Sequence, residues 1–327
     1  MKKEFLLCAF LLTLVQWSNA QTVKLYSSTG VLKNTYTSVG AAIVAAADGD
    51  SLLMSPHVFK ESMMSFTFGT NIILQGTMNA TDTSTIDAQN KGPCFNSFHG
   101  TIRDVILTGG GPYDGTATYF GGGCIVNLYG HLTGNSILRN NTFDARATLY
   151  NSILRIIQGS VDEHVKIINN TIVADTSKKW HPTSIVWANT SNWNISIANN
   201  VLIANNKGAQ TPINVYGNTS MADTAIAHST YCLRITGNVQ IVNNQSSLAG
   251  AILLSSGASY TDIDGATIMH NVYDTSNKWG GTIAVDTLSA LGGGGSGSTY
   301  GRHIVRMHNV RVQSTSKWGK GKRNCFA

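Results

Sequence analysis

The chain has 327 residues, of which 42% are apolar and only 12% charged, with a formal net charge of +6. So large an apolar fraction with so little net charge excludes an intrinsically disordered chain. Abundant Asn, Thr and Ser with 33 glycines suit short strands and tight turns rather than solvated helical faces.

The first element is not part of the fold. Lys2 and Lys3 precede an apolar stretch from Phe5 to Val15, and Ser18-Asn19-Ala20 forms a small-residue exit. This pattern predicts a secretory signal peptide over residues 1–20. No later stretch reaches the roughly 20 apolar residues that span a bilayer. The mature chain is therefore expected to be secreted, extracellular or on the cell surface, with the periplasm as a further location. Losing Lys2, Lys3 and Glu4 lowers the net charge by one, from +6 to +5. That mild excess suits anionic partners and is also ordinary for solubility.

Val23 to Ser27 alternates apolar and polar residues and predicts a first strand. A helix of about residues 38–49 follows: Ser38 can cap it, an Ala-rich run favours it and Gly49 stops it. Such a helix would cover the open end of a stack of strands, whose unpaired backbone and apolar core need protection. The segment Ser51-Leu-Leu-Met-Ser-Pro-His-Val-Phe-Lys-Glu61 begins the first full coil.

From there one pattern returns: apolar, any residue, apolar, two residues, Asn, then a second apolar run. It reads Val165-Lys-Ile-Ile-Asn-Asn170, Ile195-Ser-Ile-Ala-Asn-Asn200, Leu233-Arg-Ile-Thr-Gly-Asn238 and Ile304-Val-Arg-Met-His-Asn309. Looser copies surround Asn71, Asp104, Asn135 and Ala266, and the gaps between the eight positions are 33, 31, 35, 30, 38, 28 and 43 residues. Self-similarity at such a period predicts a solenoid. Asn suits its turns by tolerating left-handed φ, and Asn170, Asn200, Asn238 and Asn309 are expected to stack and bond one another. A second strand recurs in Cys124-Ile-Val-Asn-Leu, Ser152-Ile-Leu-Arg-Ile, Ser184-Ile-Val-Trp-Ala, Pro212-Ile-Asn-Val-Tyr, Ala251-Ile-Leu-Leu and Thr282-Ile-Ala-Val. The apolar residues of both strands are expected to form interior columns of Ile and Val. Leu291 to Ser298, LGGGGSGS, reads as a flexible loop, and residues 314–327 as a basic tail over or beyond the last coil.

The string AAIVAAADGDSLLMSPHVFKE, residues 41–61, resembles the opening of right-handed parallel β-helix proteins, the fold of the pectate lyases. His57 departs from the Gly usual there, which alters a turn. The pairs Ile241-Val-Asn-Asn244 with Ala249-Gly-Ala-Ile252, and Ile268-Met-His-Asn271 with Gly280-Gly-Thr-Ile283, resemble the repeats of chlamydial polymorphic membrane proteins. The Phe that opens that family's motif is absent. These resemblances imply an all-β, right-handed parallel β-helix over residues 21–313 with a short N-terminal capping helix.

Chemistry is less legible. Asp175-Thr-Ser-Lys-Lys179-Trp180 recurs as Asp274-Thr-Ser-Asn-Lys278-Trp279 and, shortened, as Thr315-Ser-Lys-Trp318, with a partial copy ending at Trp193. Indoles stack on sugars and Lys pairs with carboxylate or sulfate, so this set is a candidate glycan platform; otherwise these are turns whose Trp packs as a lid. The acids that could act as catalysts are Asp162 with Glu163, and Asp262 with Asp264, which share one face of a strand. The plainer reading of the second pair is a polar strand face.

The resemblance to β-helix lyases implies calcium as a cofactor if the chain is one of them, and otherwise no cofactor is expected. The Arg-x-Pro-x-x-Arg signature of the pectate lyases and the acid set of the polygalacturonases are both absent, so the sequence decides neither for nor against an enzyme. Cys94, Cys124, Cys232 and Cys325 allow two disulfides, or buried thiols, and Cys94 and Cys124 lie one repeat apart. No metal-ligand spacing and no nucleic-acid motif is present. The expected role is a glycan-binding or adhesive module, with a polysaccharide lyase or glycoside hydrolase, or a structural envelope component, as alternatives.

Overall fold

The computed structural model describes residues 21–65, 69–111, 120–144, 150–173, 183–191, 193–217, 232–247, 249–255, 259–273, 282–286 and 303–313. The expected signal peptide, the LGGGGSGS loop and the basic tail lie outside these. The described chain is almost entirely β, with one helix.

Its strands form three sheets. The largest begins with an antiparallel arrangement in which Val23–Tyr26 pairs with both Leu32–Tyr36 and Ser51–Met54. Every later pairing in that sheet is parallel, from Ser51–Met54 with Ile72–Gln75 through Ile252–Ser255 with Ile283–Asp286 and Ser259–Asp264 with His303–His308. The second sheet stacks nine short parallel strands, from Val58–Phe59 to Arg311–Gln313. The third stacks Thr142–Asp144, Thr171–Val173, Lys207–Ala209, Gln245–Ser246 and Val272–Tyr273. Strands from successive windows of the chain, the rungs of the stack, thus lie beside one another in parallel: the later windows leave two strands in the large sheet and one in each of the others, while the third sheet begins only at Thr142–Asp144.

Sequence alternation explains which side chains face inward. Phe59, Ile86, Leu107, Leu138, Ile167, Ile203, Ile241 and Ile268 follow one another in register and are all buried. Val161, Ile197, Ile235 and Ile263 make a second interior file. A third holds Leu154, Val186, Ile213, Ile252 and Ile283. Here the register departs from the sequence alignment by one residue: Leu154 and Val186, not Ile153 and Ile185, share the file of Ile213. Both rungs carry two consecutive apolar residues, so the pattern alone leaves this choice open.

The helix spans Val39–Ala45, shorter than expected. Ser38 is its N-cap and accepts from Ala41 N–H, while the Glu61 carboxylate accepts from Val39 N at 2.6 Å, Gly40 N at 2.7 Å and Ser38 Oγ at 2.8 Å. The helix buries Val39, Ala42 and Ile43, one face at helical spacing. It stops before Gly49 because Asp50, held by Lys33 at 2.7 Å, accepts the Ala47 N–H and turns the chain into the next strand.

The asparagines fall into two files, which corrects the single stack expected from the sequence. Asn141, Asn170, Asn206, Asn244 and Asn271 form a buried ladder, each Nδ2 donating to the next Oδ1 at 2.9 Å. Each also donates inward to a backbone carbonyl: Leu107, Leu138, Ile167, Ile203 and Ile241 in turn. The residue before each is left-handed: Asn140, Asn169, Asn205, Asn243 and His270 have φ of 54–56°. Asn200, Asn238 and Asn309 belong to a different, exposed turn. There Asn238 Nδ2 donates to Asn200 Oδ1 at 3.0 Å and Asn309 Nδ2 to Asp264 Oδ1 at 3.1 Å. Each rung has two turns that follow a short apolar strand, and both favour Asn, so the sequence motif merged them.

Candidate functional site

The large sheet presents its outward residues in straight rows because its strands pair in register. One row runs Thr101, His131, Ser160, Ser196, Arg234, Asp262 and Arg306. Ser196 and Arg234 each stand between two buried apolar residues, in Ile195-Ser196-Ile197 and Leu233-Arg234-Ile235, and Asp262 stands between buried Thr261 and Ile263. Arg234 and Arg306 are exposed, and Asp262 is half-buried between them. At the strand spacing the two arginine positions are about 10 Å apart, one strand either side of the carboxylate. His131 Nδ1 and Ser160 Oγ share a hydrogen bond of 2.8 Å lower in the row.

The adjoining row contains Tyr129, Gln158, Asn194, Cys232 and Tyr260. Below Tyr129, the imidazole of His99 stacks on its ring, with centroids 4.5 Å apart and planes at 10°. Burial holds His99 below the ordinary imidazole range. Asn194 Oδ1 accepts from Cys232 N at 3.0 Å and from its Sγ at 3.5 Å. Burial pushes the Cys232 thiol up, opposed by Arg234 and reinforced by Asp262. Trp193, immediately before Asn194, is 43% exposed.

The sequence-derived acids are dispersed. Asp162 Oδ1 accepts from Asn199 Nδ2 at 2.8 Å and from Glu163 N. Glu163 Oε2 accepts from Gly134 N at 2.7 Å and lies 3.4 Å from Arg103. Asp264 bonds Asn309 in the exposed turn. Asp262 alone stands in the middle row of the open face, with Asp264 on the same face at its edge. Lys179, Trp180, Lys278, Trp279 and Trp318 lie outside the described residues, so of the expected indole set only Trp193 is placed. Among the described residues no group of three His, Cys, Asp or Glu gathers as metal ligands, and no helix is long and apolar enough to cross a membrane.

Cys94, just before the strand Phe95–Arg103, meets Cys124 of the neighbouring strand Phe120–Thr133, with Sγ atoms 4.0 Å apart, both fully buried and both free thiols. Cys232 is a buried free thiol as well, and Cys325 lies outside the described residues. Burial, with the neighbouring Cys94, pushes the Cys124 thiol well up. The sequence reading missed Arg234 and Arg306. Their signal was present, since both occupy the variable position of the apolar–x–apolar strand. Comparison with protein-family models, curated proteins and solved structures found no match.

Proposed function

We propose that the chain winds as a right-handed parallel β-helix and acts outside the cytoplasm, secreted or at the cell surface, as a glycan-binding or adhesive module. The observation that carries this reading is the row Ser196, Arg234, Asp262 and Arg306 on an open sheet face, with Trp193 exposed beside it. Guanidinium groups bind carboxylate and sulfate in a fork geometry, and an indole offers an apolar face to a sugar ring. A polysaccharide is extended and periodic, as the row is. The favoured ligand is therefore an acidic polysaccharide. The Trp-Lys turns at Lys179, Trp180, Lys278 and Trp279 supply further contacts in this proposal.

The test is a glycan array and affinity electrophoresis with acidic and neutral polysaccharides. Arg234→Ala with Arg306→Ala is expected to abolish retention by acidic polysaccharides, and Trp193→Ala to weaken it. Trp180→Ala with Trp279→Ala is expected to weaken it further. Unchanged retention in all three variants removes the proposal.

One observation favours a second reading, a polysaccharide lyase or hydrolase. Asp262 lies between two arginine positions, the combination of base and carboxylate-neutralising cation that proton abstraction beside a carboxylate requires. Release of unsaturated or reducing ends from acidic polysaccharide, lost in Asp262→Asn, decides for it. Calcium enters only under this reading. A structural envelope role predicts neither retention nor cleavage.

A further inference from the structure

Register matches Cys94 to Cys124. Cys94 directly precedes Phe95 and Cys124 directly precedes Ile125, and Phe95 and Ile125 are partners in the large sheet. The two cysteines therefore stand opposite one another on neighbouring rungs, 30 positions apart in the chain. Both are fully buried. Cys124 Sγ donates to Cys94 Sγ at 4.0 Å, and Cys94 Sγ donates to the Thr108 carbonyl at 3.6 Å. On the next two rungs the residues in this place are Ile153 and Ile185, both buried. Cysteine occupies it on two adjacent rungs and on no other described rung.

A disulfide needs Cα atoms about 4.4–6.8 Å apart, and parallel neighbours lie about 4.7–4.9 Å apart. A bond of about 2.05 Å replaces the 4.0 Å separation when each sulfur advances about 1 Å, a movement that rotation about χ1 supplies. Cys232 cannot take the place of either partner. Its strand, Cys232–Thr236, is the third beyond Phe120–Thr133, about 14 Å away at the strand spacing.

We infer that Cys94 and Cys124 are a cross-linking site, oxidised by a small-molecule disulfide as their two rungs come together and closed to solvent once these have packed. One cysteine thiolate attacks a sulfur of oxidised glutathione, releasing one glutathione thiolate and leaving a mixed disulfide. The other cysteine thiolate attacks the protein sulfur of that mixed disulfide and expels the second glutathione. Two protein thiols are oxidised, one glutathione disulfide is reduced to two thiols, and the two protons pass from the cysteines to these. Exchange belongs to the stage before packing because it needs a thiolate and access. In the folded chain burial, with the neighbouring Cys94, pushes the Cys124 thiol well up, and neither cysteine is open to an oxidant. The link joins the same two strands as the His99–Tyr129 stack, five positions before it on each. It also restricts the unfolded chain by closing a loop there. The inference stands apart from the glycan-binding reading.

The test unfolds the chain in urea with reductant and refolds it in a mixture of reduced and oxidised glutathione. Remaining thiols are blocked with iodoacetamide, and trypsin digestion follows without reduction. Cleavage after Lys91, Arg103 and Arg139 puts Cys94 in fragment 92–103 and Cys124 in fragment 104–139. The expected product is these two fragments joined, lighter by two hydrogens than their sum. Reduced glutathione is expected to open the link at least tenfold more slowly in the folded chain than in urea. The linked chain is expected to unfold at a higher urea concentration than the same chain kept reduced. Recovery of both fragments alkylated, or each bearing glutathione, overturns the inference. So does a link from either fragment to the one that contains Cys232, a link opened equally fast in the folded chain and in urea, or an unchanged urea midpoint.

Discussion

Replacing Asn206 by Ala at the centre of the buried ladder tests whether the asparagines hold the rungs together. The change removes the Oδ1 that accepts from Asn170 N at 2.9 Å and from Asn170 Nδ2 at 2.9 Å. It also removes the Nδ2 that donates to Ile167 O and to Asn244 Oδ1, both at 2.9 Å. Four buried hydrogen bonds disappear. At a net value of about 1 kcal/mol each they sum to about 4 kcal/mol, because no water reaches the stripped groups. Asn71→Ala is the control: it removes one exposed contact of 3.4 Å to Asp48 and is expected to cost less than about 0.5 kcal/mol. Urea unfolding followed by circular dichroism reads both. A loss at Asn206 within 1 kcal/mol of the control would show that the ladder fills space without holding the rungs, and would refute the argument. Asn206→Asp sharpens it further. A carboxylate keeps the acceptor but faces Ile167 O and Asn244 Oδ1 with no hydrogen. Its pKa is therefore raised in the folded state, and this variant is expected to gain stability as pH falls, opposite to the parent chain.

Gly130 has φ of +153°, and a Cβ there would lie 1.9 Å from the Gly100 carbonyl oxygen on the next rung. Gly130→Ala is expected to prevent accumulation of folded protein, whereas Gly30→Ala, with φ of +82° and open space around it, is expected to cost only about 1 kcal/mol, read by thermal unfolding. Burial of Asp50 and Asp104 acts to raise their pKa values but is outweighed. Lys33 and the Ala47 N–H lower Asp50, and Asn135, Gln75 and Arg103 lower Asp104. Folded values below the unfolded carboxylate value of about 3.9 give stability that is full above it and lost as pH falls through the folded values. Asp104→Asn is expected to shrink that acid-induced loss in a series of urea midpoints. Because burial lowers the pKa of His99, the folded chain resists its protonation, so stability is full above the unfolded value of about 6.5 and declines below it. His99→Gln is expected to flatten that part of the profile.

The interior files were readable because Ile167, Ile203, Ile241 and Ile268 each stand at the centre of a three-residue strand that recurs along the chain; the repeat marks the buried position even though the residue after each Ile is itself apolar. The turns were less readable. The ladder spacings are 29, 36, 38 and 27 residues, and the irregularity comes from insertions between rungs. With Asn-Asn present at both 199–200 and 169–170, only the pairing of Lys166–Ile168 with Leu202–Ala204 shows that these are different turns. The hairpin strand Leu32–Tyr36 left no signal, since most of its residues are exposed and none alternates. Arg234 and Arg306 are 72 positions apart in the chain, and nothing local relates them. Their nearness depends on register summed over the strand between them, Ser259–Asp264.

The same register separates what can vary from what cannot. Inward positions are fixed by the files, and the turn positions by left-handed backbone and by hydrogen bonds from rung to rung. Asp48, Asp104, Asp162, Glu163 and Asp264 are all engaged in such turn contacts, which removes them from the open face as reactive groups. Outward positions of the large sheet are held by neither interior files nor left-handed turns, although some bond across strands, as His131 does with Ser160. A side chain there changes the surface without changing the stack, and its partners along the row come from windows about 30 residues away. Arg234, Asp262 and Arg306 occupy neither an interior file nor a left-handed turn, unlike the buried asparagines and the residues that precede them. A charge of alternating sign on three consecutive rungs is worth little to stability at an exposed site. Under the proposed binding role, Arg234→Ala with Arg306→Ala is expected to lower retention by acidic polysaccharide in affinity electrophoresis while the urea midpoint stays almost unmoved.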